Sequence, residues 1–219
     1  MSYSIDRWLP AGILGRGQRS AYKLGMERCH SGMNFSTAGC VLSIIIVSAV
    51  GGCATKGVDV ERERMLSLSF DQFDQTEGSG FRFLLDQKRY VEAAELIEAY
   101  VRRHWRGLTE RERVSLHFHA GQLYGIAGNP GKAGPHLKSA HYRNEPTPDG
   151  HPPYWNAYVD ATRAFIEGDR PGLIEARKRM GDLNEGFHRL VDSFIAYFGE
   201  PYASLIYGQK MKRLPEEGK

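Results

Sequence analysis

Along most of this chain, apolar residues return at intervals of three and four, the spacing of one face of a helix. Tyr90, Ala93, Ala94, Ile97, Tyr100 and Val101 form one such face, with Glu92, Glu95, Glu98 and Arg102 opposite. That pattern predicts a helix half sunk in a core. Leu116, Ala120, Leu123, Tyr124 and Ala127 form a second stripe, with Phe118, Gly121 and Gly125 nearly opposite. A helix apolar on both sides is expected between two neighbours. Thr109 and Glu112 have the spacing of a capping box and predict its start.

The remaining pattern predicts further helices. Leu66, Phe70 and Phe73 place a first helix at about 61–73, broken by Gly78-Ser79-Gly80. Phe81, Leu84 and Leu85 open a short helix before a turn at 86–89. Ala133, Leu137 and Ala140 mark another, with Pro135 tolerable only near its first turn. Residues 143–153 carry four prolines and predict a loop. Tyr154, Tyr158, Ala161, Thr162 and Phe165 stripe the next helix, which ends at Gly168. Leu173, Ile174, Ala176 and Met180 follow, then Phe187, Leu190, Val191, Phe194, Ile195 and Phe198. Gly199 and Pro201 stop that last long helix, and a turn with Tyr202, Leu205 and Ile206 is expected to cap the stack. No segment alternates with a sustained period of two. The expected fold is all-α, built of antiparallel helical hairpins.

One apolar stretch has a different character. Val41 to Val50 holds ten residues, interrupted by Ser43 and Ser48. That is half of the ~20 needed to span a bilayer and fits the apolar core of a secretory signal, about 7–15 residues. Gly51, Gly52 and Cys53 follow it directly. The segment resembles a bacterial lipoprotein signal, in which small residues precede a cysteine that receives a lipid. The resemblance implies that 1–52 is a leader, that Cys53 is the lipidated first residue, and that the mature protein is membrane-tethered in the cell envelope, facing the periplasm or the exterior. One feature departs from the pattern: Met33, the tidiest start, has no Lys or Arg before Cys40, whereas Met26 adds Arg28, offset by Glu27, and Met1 makes a very long leader, so the true start is expected to lie downstream of Met1. Residues 53–60 are expected to be a tether, 61–208 the helical domain and 209–219 a polar tail.

The leader changes the reading of charge. The chain has 29 basic and 26 acidic residues, net +3. Five basic and two acidic residues fall within 1–52, which leaves 24 of each sign beyond it. The helical domain is therefore neutral and lacks the basic stripe of a nucleic-acid binder. Cys29 and Cys40 also fall in the leader, so disulfides and cysteine-based metal sites are excluded from the mature part.

Three helix pairs recur, at roughly 81–102, 114–142 and 154–180. Ala93 and Ala133 align forty residues apart, and Gly168 stands where Gly128 stands. The middle pair resembles a tetratricopeptide repeat: Gly121 before Tyr124, Gly128 at the turn, and Ala133 and Ala140 flanking Leu137. The first pair matches through Lys88 to Ala93 and Ile97, with Phe81 where a small residue is usual; the third has Leu173 in place of a small residue. The forty-residue spacing exceeds the usual ~34, so loops such as 107–113 read as insertions. The resemblance implies a short tetratricopeptide-like α-solenoid whose concave face binds a protein.

Candidate chemistry is sparse. His117 and His119 are two apart, which on a helix turns them to different sides, so they cannot grip one metal ion. Gly78-Ser79-Gly80 is followed by neither Gly-Lys-Ser nor Gly-Lys-Thr and is no phosphate loop. No nucleophile elbow is present. Asn156, Asp160, Arg163 and Glu167 line one helix face, either as a binding strip or as a solvated face with an Arg163–Glu167 pair. Trp105, Tyr154, Trp155 and Tyr158 lie near loops. The expected function is a non-catalytic scaffold that binds an envelope protein through His119, Gln122, Trp155, Asn156, Tyr158 and Asp160, with no catalytic residue, cofactor or metal. Two alternatives are a helical enzyme acting on cell-wall material, its acid a helix carboxylate, and a cytoplasmic helical-repeat protein with a misplaced start.

Overall fold

The computed structural model of the protein describes residues 54–145, 154–180 and 185–207. Cys53, the apolar run before it, most of the proline-rich loop and the polar tail lie outside them. The described residues form helices and turns, with no strand among them. None of these helices is long and apolar enough to cross a membrane.

Helix α1 spans Ala54–Leu66 and so takes up the stretch read as a tether. The helix expected through Phe73 ends here instead. Ser67 turns its hydroxyl back onto the Arg64 carbonyl, 2.8 Å away. Small hydroxyl side chains offer the backbone such alternatives to the helical ladder. The chain resumes as a single π-helical turn, Asp71–Gln75. That break swings Phe73 inward to stack on Tyr100, ring centres 3.8 Å apart.

Three helix pairs follow: α2 (Gly80–Asp86) with α3 (Tyr90–His104), α4 (Glu110–Ile126) with α5 (Pro130–Ser139), and α6 (Trp155–Glu167) with α7 (Arg170–Arg179). Each packs on the next in chain order, and α8 (Glu185–Ala196) packs on α6 and α7. A last short helix, α9 (Tyr202–Tyr207), returns to α4.

The forty-residue spacing is visible in the backbone. Lys88, Gly128 and Gly168 all have positive φ, +60°, +71° and +76°. After each, the next amide closes the helix end by bonding five residues back: Arg89 to Leu84, Asn129 to Tyr124 and Asp169 to Ala164, at 2.8–3.0 Å. This is the Schellman closure of a helix. Asn129 and Asp169 then cap the second helix of their pair, on the amides of Lys132 and Gly172. The side chains keep the same register. Phe81, Gly121 and Ala161 are buried, as are Leu84, Tyr124 and Ala164, and Ala93, Ala133 and Leu173, and Tyr100, Ala140 and Met180.

Helix α4 is sandwiched as its pattern predicts. Its capping box forms, with Thr109 and Glu112 bonded to each other's amides. Gly121 lets α5 come close: a Cβ there would sit 2.6 Å from the Leu137 side chain. Leu96 is buried as well, so α3 is covered beyond its one striped face. Ala127 lies outside the stripe, exposed just past the end of α4. Pro135 sits in the sixth position of α5, not in its first turn. There it leaves the Gly131 carbonyl without its usual helical donor.

Candidate functional site

The residues read as a partner-binding face are engaged inside the molecule. His119 is buried, and its Nδ1 donates to Asp74 Oδ1 at 2.7 Å. Asp74, from the π-helical turn, is fully buried and also receives Ser115 Oγ at 3.4 Å and the Gln75 amide. Burial alone would raise its carboxyl; the His119 ring outweighs that and, with the nearby Arg82, holds it below its ordinary value. Serine, histidine and aspartate meet here, but Ser115 bonds the aspartate. A hydrolytic triad needs the serine on the ring nitrogen that faces away from the aspartate.

The other five are similarly placed. Gln122 donates to the Tyr202 hydroxyl at 3.0 Å and ties α4 to α9. Trp155 donates its indole N–H to the Ala140 carbonyl at 2.9 Å. Asn156 makes paired bonds with the backbone of Tyr142, at 2.9 and 3.0 Å. Tyr158 is buried between Phe118 and Phe187. Asp160 is enclosed by His141, Arg163 and Arg179, at 3.2, 3.4 and 2.8 Å. Burial works against its charge, but His141 and Arg179 hold the carboxyl far below the carboxylate range. The Arg163–Glu167 pair forms at 3.2 Å. These side chains hold α5, α6 and α7 together.

Of the four aromatics read near loops, Trp105 is the one that stays outside, 54% exposed. It follows the last turn of α3, where Arg102, Arg103 and His104 crowd together. Basic residues at a helix C-terminus answer its partial negative charge, but three arginines between 102 and 106 exceed that half charge. Arg113 from α4 stacks its guanidinium over the Trp105 ring, 4.9 Å from the centroid. An open cavity of about 730 Å³ lies here, lined by Val101–Gly107 and His117. Its lining holds three arginines, two histidines and a tryptophan, and no carboxylate. Arg103 is paired with Glu63 at 2.8 Å and His104 bonds the Leu66 carbonyl. Arg102 and Arg106 are exposed.

Behind the cavity wall runs a short relay. Glu98 Oε1 accepts the Tyr124 hydroxyl at 2.7 Å and faces His136 Nε2 at 3.0 Å. His136 Nδ1 in turn meets His117 Nδ1 at 3.2 Å. Burial pushes the His117 imidazole down to about 4, helped by His136 and Arg113, so it is neutral at ordinary pH. Burial would raise Glu98, but the bonds from Tyr124 and His136 bring it below its ordinary value. The pattern in the sequence separated His117 from His119 correctly, since the two point to different networks. It gave no sign that His136, nineteen residues on, would close against His117.

Among the described residues, no group of three or more His, Cys, Asp or Glu side chains is placed to hold a metal ion. No protein-family model, curated protein or solved structure matches this chain.

Proposed function

We propose that this protein is a non-catalytic scaffold, tethered to a bacterial cell envelope through a lipid on Cys53, that binds a protein partner. In this reading its helix pairs stack as a short tetratricopeptide-like solenoid, and the binding surface is the α3–α4 cavity, not the α4–α6 face. The forty-residue recurrence of identical turns supports the repeat architecture. The observation that carries the binding role is Trp105, half exposed at a cavity lined by arginines with no carboxylate. Tryptophan and arginine dominate the energetics of protein interfaces.

The tether rests on Gly51-Gly52-Cys53 after the ten-residue apolar run. Helix α1 begins at the next residue, Ala54, and reaches the cavity through the Glu63–Arg103 pair. The enzyme alternative rests on His117, a neutral imidazole in the cavity lining, but its expected acid, a helix carboxylate, is missing from that lining.

Two measurements test the proposal. Cells expressing the parent or Cys53→Ser are fractionated; the parent is expected in membranes and the variant in the soluble fraction. A photo-crosslinking residue at position 105 is expected to join one protein of the envelope, whereas one at exposed Lys138 does not. Equal membrane association of parent and variant overturns the tether, and matching crosslinks at both positions overturn the binding surface.

A further inference from the structure

We infer that α1 is a stiff spacer that holds the α3–α4 cavity in a thin layer above the bilayer, and that the partner is an integral membrane protein, gripped where its chain leaves the lipid. The inference rests on the scaffold reading, with its lipid on Cys53, and names the class of partner.

The height of the cavity follows from the helix. Ala54, the residue after Cys53, is already the first of the 13 residues of α1. No loose linker separates the lipid from the fold. A helix rises ~1.5 Å per residue, so Glu63, ten residues on, lies within about 15 Å of Cys53 at any tilt. Packed helices stand about 8–10 Å apart. The α3 wall is thus no more than roughly 25 Å from the lipid-bearing residue.

The chain fastens α1 to that wall. Glu63 pairs with Arg103 at 2.8 Å, the Leu66 carbonyl meets His104 Nε2 at 2.8 Å, and just beyond the helix the Leu68 carbonyl accepts the Tyr100 hydroxyl at 2.9 Å. Arg103 and His104 both line the cavity. The same bonds fix direction. From 63 to 68 the chain steps back along α3 from 103 to 100, so the two helices run antiparallel. The start of α1 therefore projects past the C-terminal end of α3, the end that Trp105 follows. The lipid and the cavity lie at one end of the domain.

A tether of this kind selects its partner by height. A protein free in the envelope is reached best by a long, loose linker that searches a large volume. A short helical one raises the effective concentration only of groups fixed in the same layer. Trp105 is half exposed there, and the concave wall beside it, about 730 Å³, takes a side chain or loop rather than a flat sheet of headgroups.

The test uses the full chain, made and lipidated in bacteria. Beyond residue 52 the one cysteine is Cys53, which the lipid occupies, so Arg106→Cys supplies a single thiol at an exposed position for a fluorescent donor. The labelled protein is placed in phosphatidylcholine–phosphatidylglycerol vesicles that carry a headgroup acceptor. Strong energy transfer is expected. It should fall at least twofold when a forty-residue Gly-Ser segment is inserted between Cys53 and Ala54, since such a chain spans about 35 Å on average. The insert precedes α1 and should leave the melting temperature unchanged. In cells, the photo-crosslinking residue at position 105 is expected to capture a protein that stays in membranes after alkaline carbonate, and the insert should cut that yield at least fivefold. Transfer in the parent no stronger than in the insert variant overturns the spacer. A captured protein that carbonate releases, or a yield that the insert leaves unchanged, overturns the integral partner, as do crosslinks to phospholipid alone. Membrane association that survives Cys53→Ser refutes the tether on which all this rests. A lipid-dependent tether with a specific crosslink to a soluble protein leaves the scaffold reading standing and refutes this one.

Discussion

The three equivalent turns set up a controlled experiment on backbone conformation. Two carry glycine, and the third carries Lys88 at φ +60°. A side chain in the left-handed region costs roughly 1–2 kcal/mol. Replacing a residue by glycine frees the unfolded chain and costs about 0.4–1 kcal/mol. For Lys88→Gly the first term wins, so the net expectation is a gain of about 0.5–1 kcal/mol. Gly128→Ala runs the same balance backwards. A Cβ at Gly128 would meet nothing within 4 Å, so the loss is conformational, again about 0.5–1 kcal/mol, with no steric part. In a domain of this size each kcal/mol moves the melting temperature by about 2–4 °C. Circular dichroism melts should therefore rise by ~1–4 °C for Lys88→Gly and fall by a similar amount for Gly128→Ala. Denaturant midpoints should move the same way with unchanged slopes, since little surface changes hands. A melting temperature that falls in Lys88→Gly would refute the equivalence of the three turns and give the lysine a stabilising role there.

Tyr124→Ala and Phe194→Ala should each cost about 3–5 kcal/mol, the usual loss for a buried aromatic, because both rings are fully buried; denaturant melts check this. Asp74, with its carboxyl held below the ordinary 3.8, stabilises the fold above that value and ceases to as pH falls through its folded value. The parent should thus lose stability below about pH 4 by a component that Asp74→Asn lacks, read as the difference between their melting curves against pH. At neutral pH Asp74→Asn should itself be less stable by about 3–5 kcal/mol, since it breaks a buried pair with His119. Asp160→Lys should destabilise the domain by at least ~2 kcal/mol, because it sets a cation against His141, Arg163 and Arg179; a neutral melt would place those partners elsewhere.

The helices were legible because their signals are local. Thr109 and Glu112, or Gly128 before Asn129, announce a boundary within four residues. Apolar stripes likewise named most of the core, including Tyr124, Phe165 and Phe194. The break after Leu66 was not legible, because Phe70 and Phe73 keep helical spacing across it. Phe73 turns inward to meet Tyr100, which lies on another helix, and spacing carries no such information. The partners of the polar residues were hidden for the same reason. His119, Gln122 and Asp160 look like a surface strip on their own helices. Their partners come from the π-helical turn, from α9, and from α7 with the segment after α5. The Glu98–His136–His117 relay likewise joins three helices, and no fixed interval in the sequence encodes it.

The bond between Gln122 and Tyr202 joins residues eighty positions apart. A stack in which each helix touches only its neighbours frays from its ends, one unit at a time. Here the last helix doubles back instead. The Tyr202 ring lies among Phe165 and Phe194, with Leu205 and Ile206 buried behind it. The array therefore closes on itself like a belt, and its final hole is cut in the middle helix. Peeling away α9 exposes the flank of α4, so damage at the C-terminal end is felt at the centre. A protease nick at Gly199 should speed amide exchange in α4 as well as in α8, although nothing in α4 is cut.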